Sequence, residues 1–139
     1  PQRSYLDRVL DQGFDGVYLD IIDAYEYFGP DGQGEERRDA AAQMALLVRQ
    51  LAAYARETRG RTDFVVVPQN GSGILSQMSP VEAAAYLEAI DAIGAEDSFY
   101  FGPRAMNNPY RPQTETLQAL AAFRNAGKPV LSVDYVSQP

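Results

Sequence analysis

Neither cysteine nor histidine occurs among the 139 residues. Their absence removes disulfides, thiol nucleophiles, thiolate or imidazole metal sites and any Ser-His-Asp triad. Acid–base chemistry then falls to carboxylates or tyrosine. Lys128 is the one lysine, and it precedes Pro129 at the start of the last predicted strand, the wrong end of a parallel strand for a Schiff-base lysine. No run approaches the roughly 20 apolar residues that span a membrane, and no basic segment followed by an apolar one opens the chain. No Gly-x-Gly-x-x-Gly follows a strand and no Walker-type Gly-Lys-Ser/Thr occurs, which leaves nucleotide binding without support. Acidic residues outnumber basic ones by 19 to 12, and the net charge of −7 has the wrong sign for a phosphate-backbone binder. The first residue is Pro1 and not methionine, so the chain is expected to be a piece of a longer protein, truncated at both ends.

What is present fits one domain over 1–139: 45% of the residues are hydrophobic, enough for a real core. The run from Gly16 to Ile21 is small, β-branched, aromatic or aliphatic except for Asp20, as in a strand covered by helices. Alternation puts Gly16, Tyr18 and Asp20 on one face and Val17, Leu19 and Ile21 on the other. An ionised carboxylate is costly to bury unless paired or used, and parallel strands place ligands at their C-terminal ends. Asp20 is therefore the first candidate for chemistry; the alternative is a cap or an acceptor of local backbone hydrogen bonds.

Along the chain, Ser4 to Asp7 resembles a capping box ahead of a short helix that Gly13 ends. Residues 25–34 hold too many glycines and prolines for regular structure and read as a loop. A long helix is predicted over 35–58, with Met44, Leu47, Val48, Leu51, Tyr54 and Ala55 on its apolar stripe. A second strand follows over 63–71, where Pro68 marks the end of ladder bonding and leaves Gln69 and Asn70 at the tip. Gly71-Ser72-Gly73 reads as a flexible turn, the alternative being an anion nest. Ser79-Pro80-Val81-Glu82 starts a helix that runs to about Asp91. A strand over 92–100, a polar loop over 101–112, a helix capped by Thr114 and a last strand over 130–136 complete the pattern. Such βα alternation predicts a parallel sheet. Helix-to-strand connections are tight while two of the three strand-to-helix connections are long and polar, so function is expected on the strand C-terminal side.

On that side lie Asp20, Asp23 and Glu26, then Gln69 and Asn70, then Glu96 and Asp97, and finally Asp134, with Tyr25, Tyr27, Tyr100 and Tyr135 beside them. Glycoside hydrolysis asks for such a set: one acid attacks or activates at the anomeric carbon, another protonates the leaving oxygen, and rings offer apolar faces to sugars. Clustered acids also suit Mg²⁺ or Ca²⁺, but the spacing of a calcium loop is absent, and no metal or cofactor is expected.

The segment 13–26, together with 67–71, 96–100 and 133–135, resembles glycoside hydrolase family 114, the endo-α-1,4-polygalactosaminidase-like barrels. That resemblance implies a (β/α)8 TIM barrel, of which this α/β chain would supply about half, as its fourth through seventh strands. It also implies secretion and retaining cleavage of α-1,4-linked galactosamine-containing polysaccharide. In the implied assignment Asp20 is the nucleophile and Glu96 the acid/base. Asp23, Tyr25, Gln69, Asn70, Tyr100, Asp134 and Tyr135 bind substrate or support the pair. The open edges of such a half barrel would meet the rest of their own barrel or associate with another copy. Two alternatives stand beside it: a non-catalytic carbohydrate-binding barrel, and a small doubly wound, flavodoxin-like domain.

Overall fold

The computed structural model describes residues 3–136. Its elements alternate as the sequence pattern predicts: α1 (Tyr5–Asp11), β1 (Gly16–Leu19), α2 (Ala40–Ala53), β2 (Val65–Pro68), α3 (Pro80–Ala89), β3 (Ile93–Glu96), α4 (Thr114–Asn125) and β4 (Val130–Val133). Two helices start with full capping boxes. Ser4 and Asp7 satisfy one another's orphan donors at α1, and Ser79 and Glu82 do so at α3, where Pro80 adds its pre-set φ.

All pairing within the two ladders is parallel. Gly16 faces Val65 and Leu19 faces Pro68 between β1 and β2, while Ile93 faces Val130 and Glu96 faces Val133 between β3 and β4. The ladders are joined where the Asp91 N–H donates to Val66 O (2.9 Å), the Asn70 N–H donates to Gly94 O (2.8 Å) and Gln69 bridges Gly94. Spatial order thus follows chain order, β1-β2-β3-β4. One hydrophobic core lies on a single face of the strands, where Val66, Ile93 and Ala95, with Val17, Leu19 and Val130 at its margin, meet helix residues such as Val48, Tyr86 and Phe123. On the opposite face Tyr18, Val65, Leu131 and Val133 keep 40–48% of their surface exposed.

Several local expectations are corrected. β1 stops at Leu19, so Ile21 leaves the aliphatic face, takes φ 61° and is 65% exposed. Residues Ile22–Phe28 form a 3₁₀ helix where an irregular loop was expected; the breakers begin only at Gly29, and burial of Ile22 and Tyr25 holds the turn. The long helix starts at Ala40 and not at residue 35, with no side-chain cap at Asp39, and loosens into a π turn over Tyr54–Thr58. Arg56 in that turn donates to Phe64 O (3.0 Å), Ala89 O (2.8 Å) and Asp91 Oδ2 (2.7 Å), which stitches α2 to the entry of β2 and the end of α3. The buried stripe of α2 is Ala41, Ala45, Val48 and Ala52, and Leu47 is exposed, because small side chains let α2 approach the strands closely. Ladder bonding runs one step past Pro68, since the Gln69 N–H still reaches Leu19 O (2.8 Å). Gly71-Ser72-Gly73 opens a 3₁₀ turn over Ser72–Gln77 in place of a flexible one. Gln113, without a side-chain cap, and not Thr114, precedes α4.

Candidate active site

The carboxyl ends of β1, β2 and β3 share a conformational signature. A non-glycine residue with positive φ follows each strand within two positions: Ile21 (61°), Asn70 (63°) and Asp97 (50°). For Asn and Asp the left-handed region is tolerable, but a β-branched residue there is strained, and such strain collects at functional ends. At Ile21 the kink is held by its own N–H, which donates to Asp20 Oδ1 (2.8 Å). Asp20 is thereby exposed just beyond β1.

Glu96 ends β3 on the face that carries Tyr18 and lacks helices. Its carboxylate accepts the Tyr135 hydroxyl on Oε1 and the Asn70 amide on Oε2 (3.3 Å). The Asn70 Oδ1 accepts in return from the Glu96 N–H (3.0 Å). Gln69, only 8% exposed, places its side-chain amide close enough to favour the charged form of Glu96 as the weakest of these influences. Tyr135 first, then Asn70 and Gln69, outweigh the desolvation of Glu96 and hold it below the usual carboxylate range. Asp97 is pushed the other way, by burial and then by the Asp134 and Glu96 carboxylates.

Asp134 is spent on backbone. Its Oδ1 accepts from the N–H groups of Phe99 and Tyr100 (3.0 Å each) and its Oδ2 from the Ser132 hydroxyl (2.9 Å). Burial alone would raise its pKa, yet the hydrogen bonds from Phe99, Tyr100 and Ser132 together lower it. Asp134 therefore fixes the turn that leaves β3 behind Glu96. Tyr100 packs edge-on to Tyr110, centroids 5.5 Å apart, and pairs with Arg111 to close the loop back on itself. Tyr25 departs from the place expected for a sugar-stacking ring. It is 2% exposed, its hydroxyl donates to Gly71 O (3.4 Å) and Glu26 Oε1 (3.2 Å), and burial pushes that hydroxyl's pKa far up. Its part is to seat the Gly71 turn, where a Cβ would lie 3.2 Å from the ring.

A cleft of about 360 Å³ opens beside Glu96, walled by Asp23, Glu26, Asn70, Asp97 and Gln113. Of the residues expected to act, Asp23, Asn70 and Glu96 line it, Tyr135 holds Glu96, and Gln69 lies close to Glu96. Asp20 stands outside its wall, at the same end of the strands. Tyr18, which alternation places on the same face as Asp20, was not among the residues expected to act. Its hydroxyl feels Glu96 and Asp20. Lys128 lies at the other end of the strands, donating to Ile90 O (2.7 Å). Among the described residues no cluster of three or more acids is disposed to hold a metal ion, and no helix is long and apolar enough to cross a membrane.

Parallel strands that gather acids, amides and tyrosine hydroxyls at their carboxyl ends define an α/β protein of the kind that handles polar ligands there. The particular family follows from comparison: the model of glycoside-hydrolase family GH114 matches residues 2–139, and the chain belongs to that family. An uncharacterised protein of Deinococcus radiodurans is 35% identical over 136 residues, which is 98% of this chain and 39% of that protein. One from Thermotoga maritima is 37% identical over 133 residues, 96% of this chain and 38% of its own length. One from Methanocaldococcus jannaschii is 32% identical over 133 residues. The chain thus spans less than two fifths of the length of these curated relatives.

Proposed function

We propose that this chain is a segment of a (β/α)8 barrel belonging to a secreted, retaining glycosidase that cleaves α-1,4-linked galactosamine-containing polysaccharide. The barrel is supported by strand order. A doubly wound, flavodoxin-like sheet would set β1 between β2 and β3, whereas each strand here lies beside its successor. Helices on one face and exposed apolar residues on the other are what a barrel segment leaves where its remaining strands would close.

The observation that carries the catalytic reading is the placement of two carboxylates, Asp20 and Glu96, at the same end of two parallel strands that flank β2, with Glu96 tied to Tyr135 and Asn70. In this mechanism Asp20 attacks the anomeric carbon as Glu96 delivers a proton to the leaving oxygen. Glu96 then takes a proton from the water that releases the glycosyl–Asp20 ester. Hydrogen bonds that favour ionised Glu96 suit its second, basic task. The acidic walls of the cleft suit a polymer bearing free amines.

The test is reducing-end release from α-1,4-galactosaminan by the full-length protein beside its Asp20→Asn and Glu96→Gln variants. Release by the parent and loss in both variants is expected. Release that survives either change would remove that residue from catalysis. Binding of the polymer without release by any version would favour a non-catalytic carbohydrate-binding barrel.

A further inference from the structure

Tyr18 stands on β1 two residues before Asp20, and its ring crosses β2 to reach β3 at Gly94. A Cβ at Gly94 would lie 2.7 Å from two ring carbons and closer still to the hydroxyl, so the ring has its seat only because residue 94 lacks a side chain. Glu96 is two residues beyond Gly94 on the same face, as Asp20 is two beyond Tyr18. One end of the side chain is therefore rooted below Asp20 and the other ends below Glu96.

We infer that Tyr18 is a positioning residue for the carboxylate pair: its ring, seated on Gly94, fixes the spacing between the β1 and β3 carboxylates, and its hydroxyl remains a neutral donor between them. This rests on the glycosidase reading above. The titratable groups facing the hydroxyl are Asp20 on its own strand, Glu96 from β3 and Tyr135 after β4. Burial, then Glu96, then Asp20 raise its pKa above the ordinary tyrosine value. A phenol that keeps its proton offers it to whichever carboxylate is charged as the reaction proceeds, which a phenolate could not do. With 48% of its surface exposed, Tyr18 also stays open to the side from which a substrate would approach.

The test uses full-length protein labelled at tyrosine ¹³Cζ, in which the resonance lost from Tyr18→Phe is assigned to Tyr18 and titrated. Tyr18 should titrate above about 10 in the parent, and lower in both Asp20→Asn and Glu96→Gln. A Tyr18 titration that ignores both neutralisations overturns the inference whether or not any sugar is released. In the active enzyme Tyr18→Phe should lower kcat about tenfold, the scale of one hydrogen bond to a charged group, with KM little changed and the pH–rate profile displaced. Gly94→Ala should reproduce the loss by unseating the ring although it removes no polar group, and the double variant should fall no further than either alone. Unchanged kcat and pH profile in both single variants would equally overturn it. A full-length protein that releases no sugar at all refutes the glycosidase reading, and the titration still decides where Tyr18 stands.

Discussion

Asn70 and Glu96 hold each other through both ends of one amide: Asn70 Oδ1 accepts from the Glu96 N–H (3.0 Å) while Asn70 Nδ2 donates to Glu96 Oε2 (3.3 Å). A residue at the tip of β2 thereby fixes main chain and side chain of the acid that ends β3. The left-handed backbone of Asn70 makes the reach possible, and asparagine is among the few residues that adopt it without much strain. Rotation of the Glu96 side chain would break the Asn70 contact and the Tyr135 contact together.

The pH dependence of the reaction follows from that restraint. In the proposed mechanism Glu96 must carry a proton to act as an acid, and its surroundings hold its pKa below the ordinary 4.5. The rate should therefore fall as pH rises through the depressed value, giving an optimum on the acid side of neutrality. Tyr135→Phe removes the leading cause of the depression, so the basic limb of the pH–rate profile should move to higher pH. A limb that stays in place would detach Tyr135 from Glu96.

Azide should separate the two carboxylates by stereochemistry. With the roles proposed above, Asp20→Ala should leave space for azide to attack from the nucleophile's side, giving a glycosyl azide of inverted configuration, and Glu96→Ala should let azide attack the glycosyl–enzyme, giving retained configuration. Each variant alone should lose about 10²- to 10⁴-fold in kcat. NMR of the anomeric centre in the products reads the outcome, and the opposite pairing of variant and anomer would exchange the roles of Asp20 and Glu96.

Asp134 should matter through the turn it holds. Asp134→Ala strips the Phe99 and Tyr100 N–H groups of their acceptor and should cost roughly 1–3 kcal/mol, whereas Asp134→Asn keeps an acceptor and should cost less. Because the folded pKa of Asp134 lies below its ordinary 3.8, its contribution is complete above the unfolded value and is lost as pH falls through the folded one. Thermal unfolding of parent and Asp134→Asn along an acid series should show a shallower loss in the variant.

Tyr86 offers a gain. It is fully buried and its hydroxyl has no hydrogen-bond partner among the described residues. Removing a buried polar atom that lacks a partner relieves its desolvation cost, so Tyr86→Phe should raise the melting temperature, by the equivalent of about 1 kcal/mol. A fall in melting temperature would reveal a partner for that hydroxyl.

Much of the frame was legible because it rests on local chemistry. The Ser4–Asp7 and Ser79–Glu82 boxes mark helix starts in sequence as they do in space, and the β-branched run before Pro68 marks β2. The acids at the strand ends were legible for the same reason, since alternation and a following turn fix where a residue such as Glu96 points. What sequence hid depends on contacts between strands. Nothing near Asn70 announces that it will bind Glu96, nothing near Tyr18 that Gly94 makes room for it, and Tyr25 resembles a sugar platform until the Gly71 turn folds over it. The left-handed Ile21, which ends β1 early and starts the 3₁₀ turn, likewise answers to tertiary burial of Ile22 and Tyr25 against local preference.

Strand order carries a kinetic consequence. Because β1, β2, β3 and β4 lie side by side in the order of synthesis, every ladder closes over a single βα unit, and no strand waits for a later one to be inserted between it and its predecessor. Closure entropy is then met in small instalments. A nascent chain can lay each unit against the last as it leaves the ribosome, while the newest strand keeps one edge open for the next.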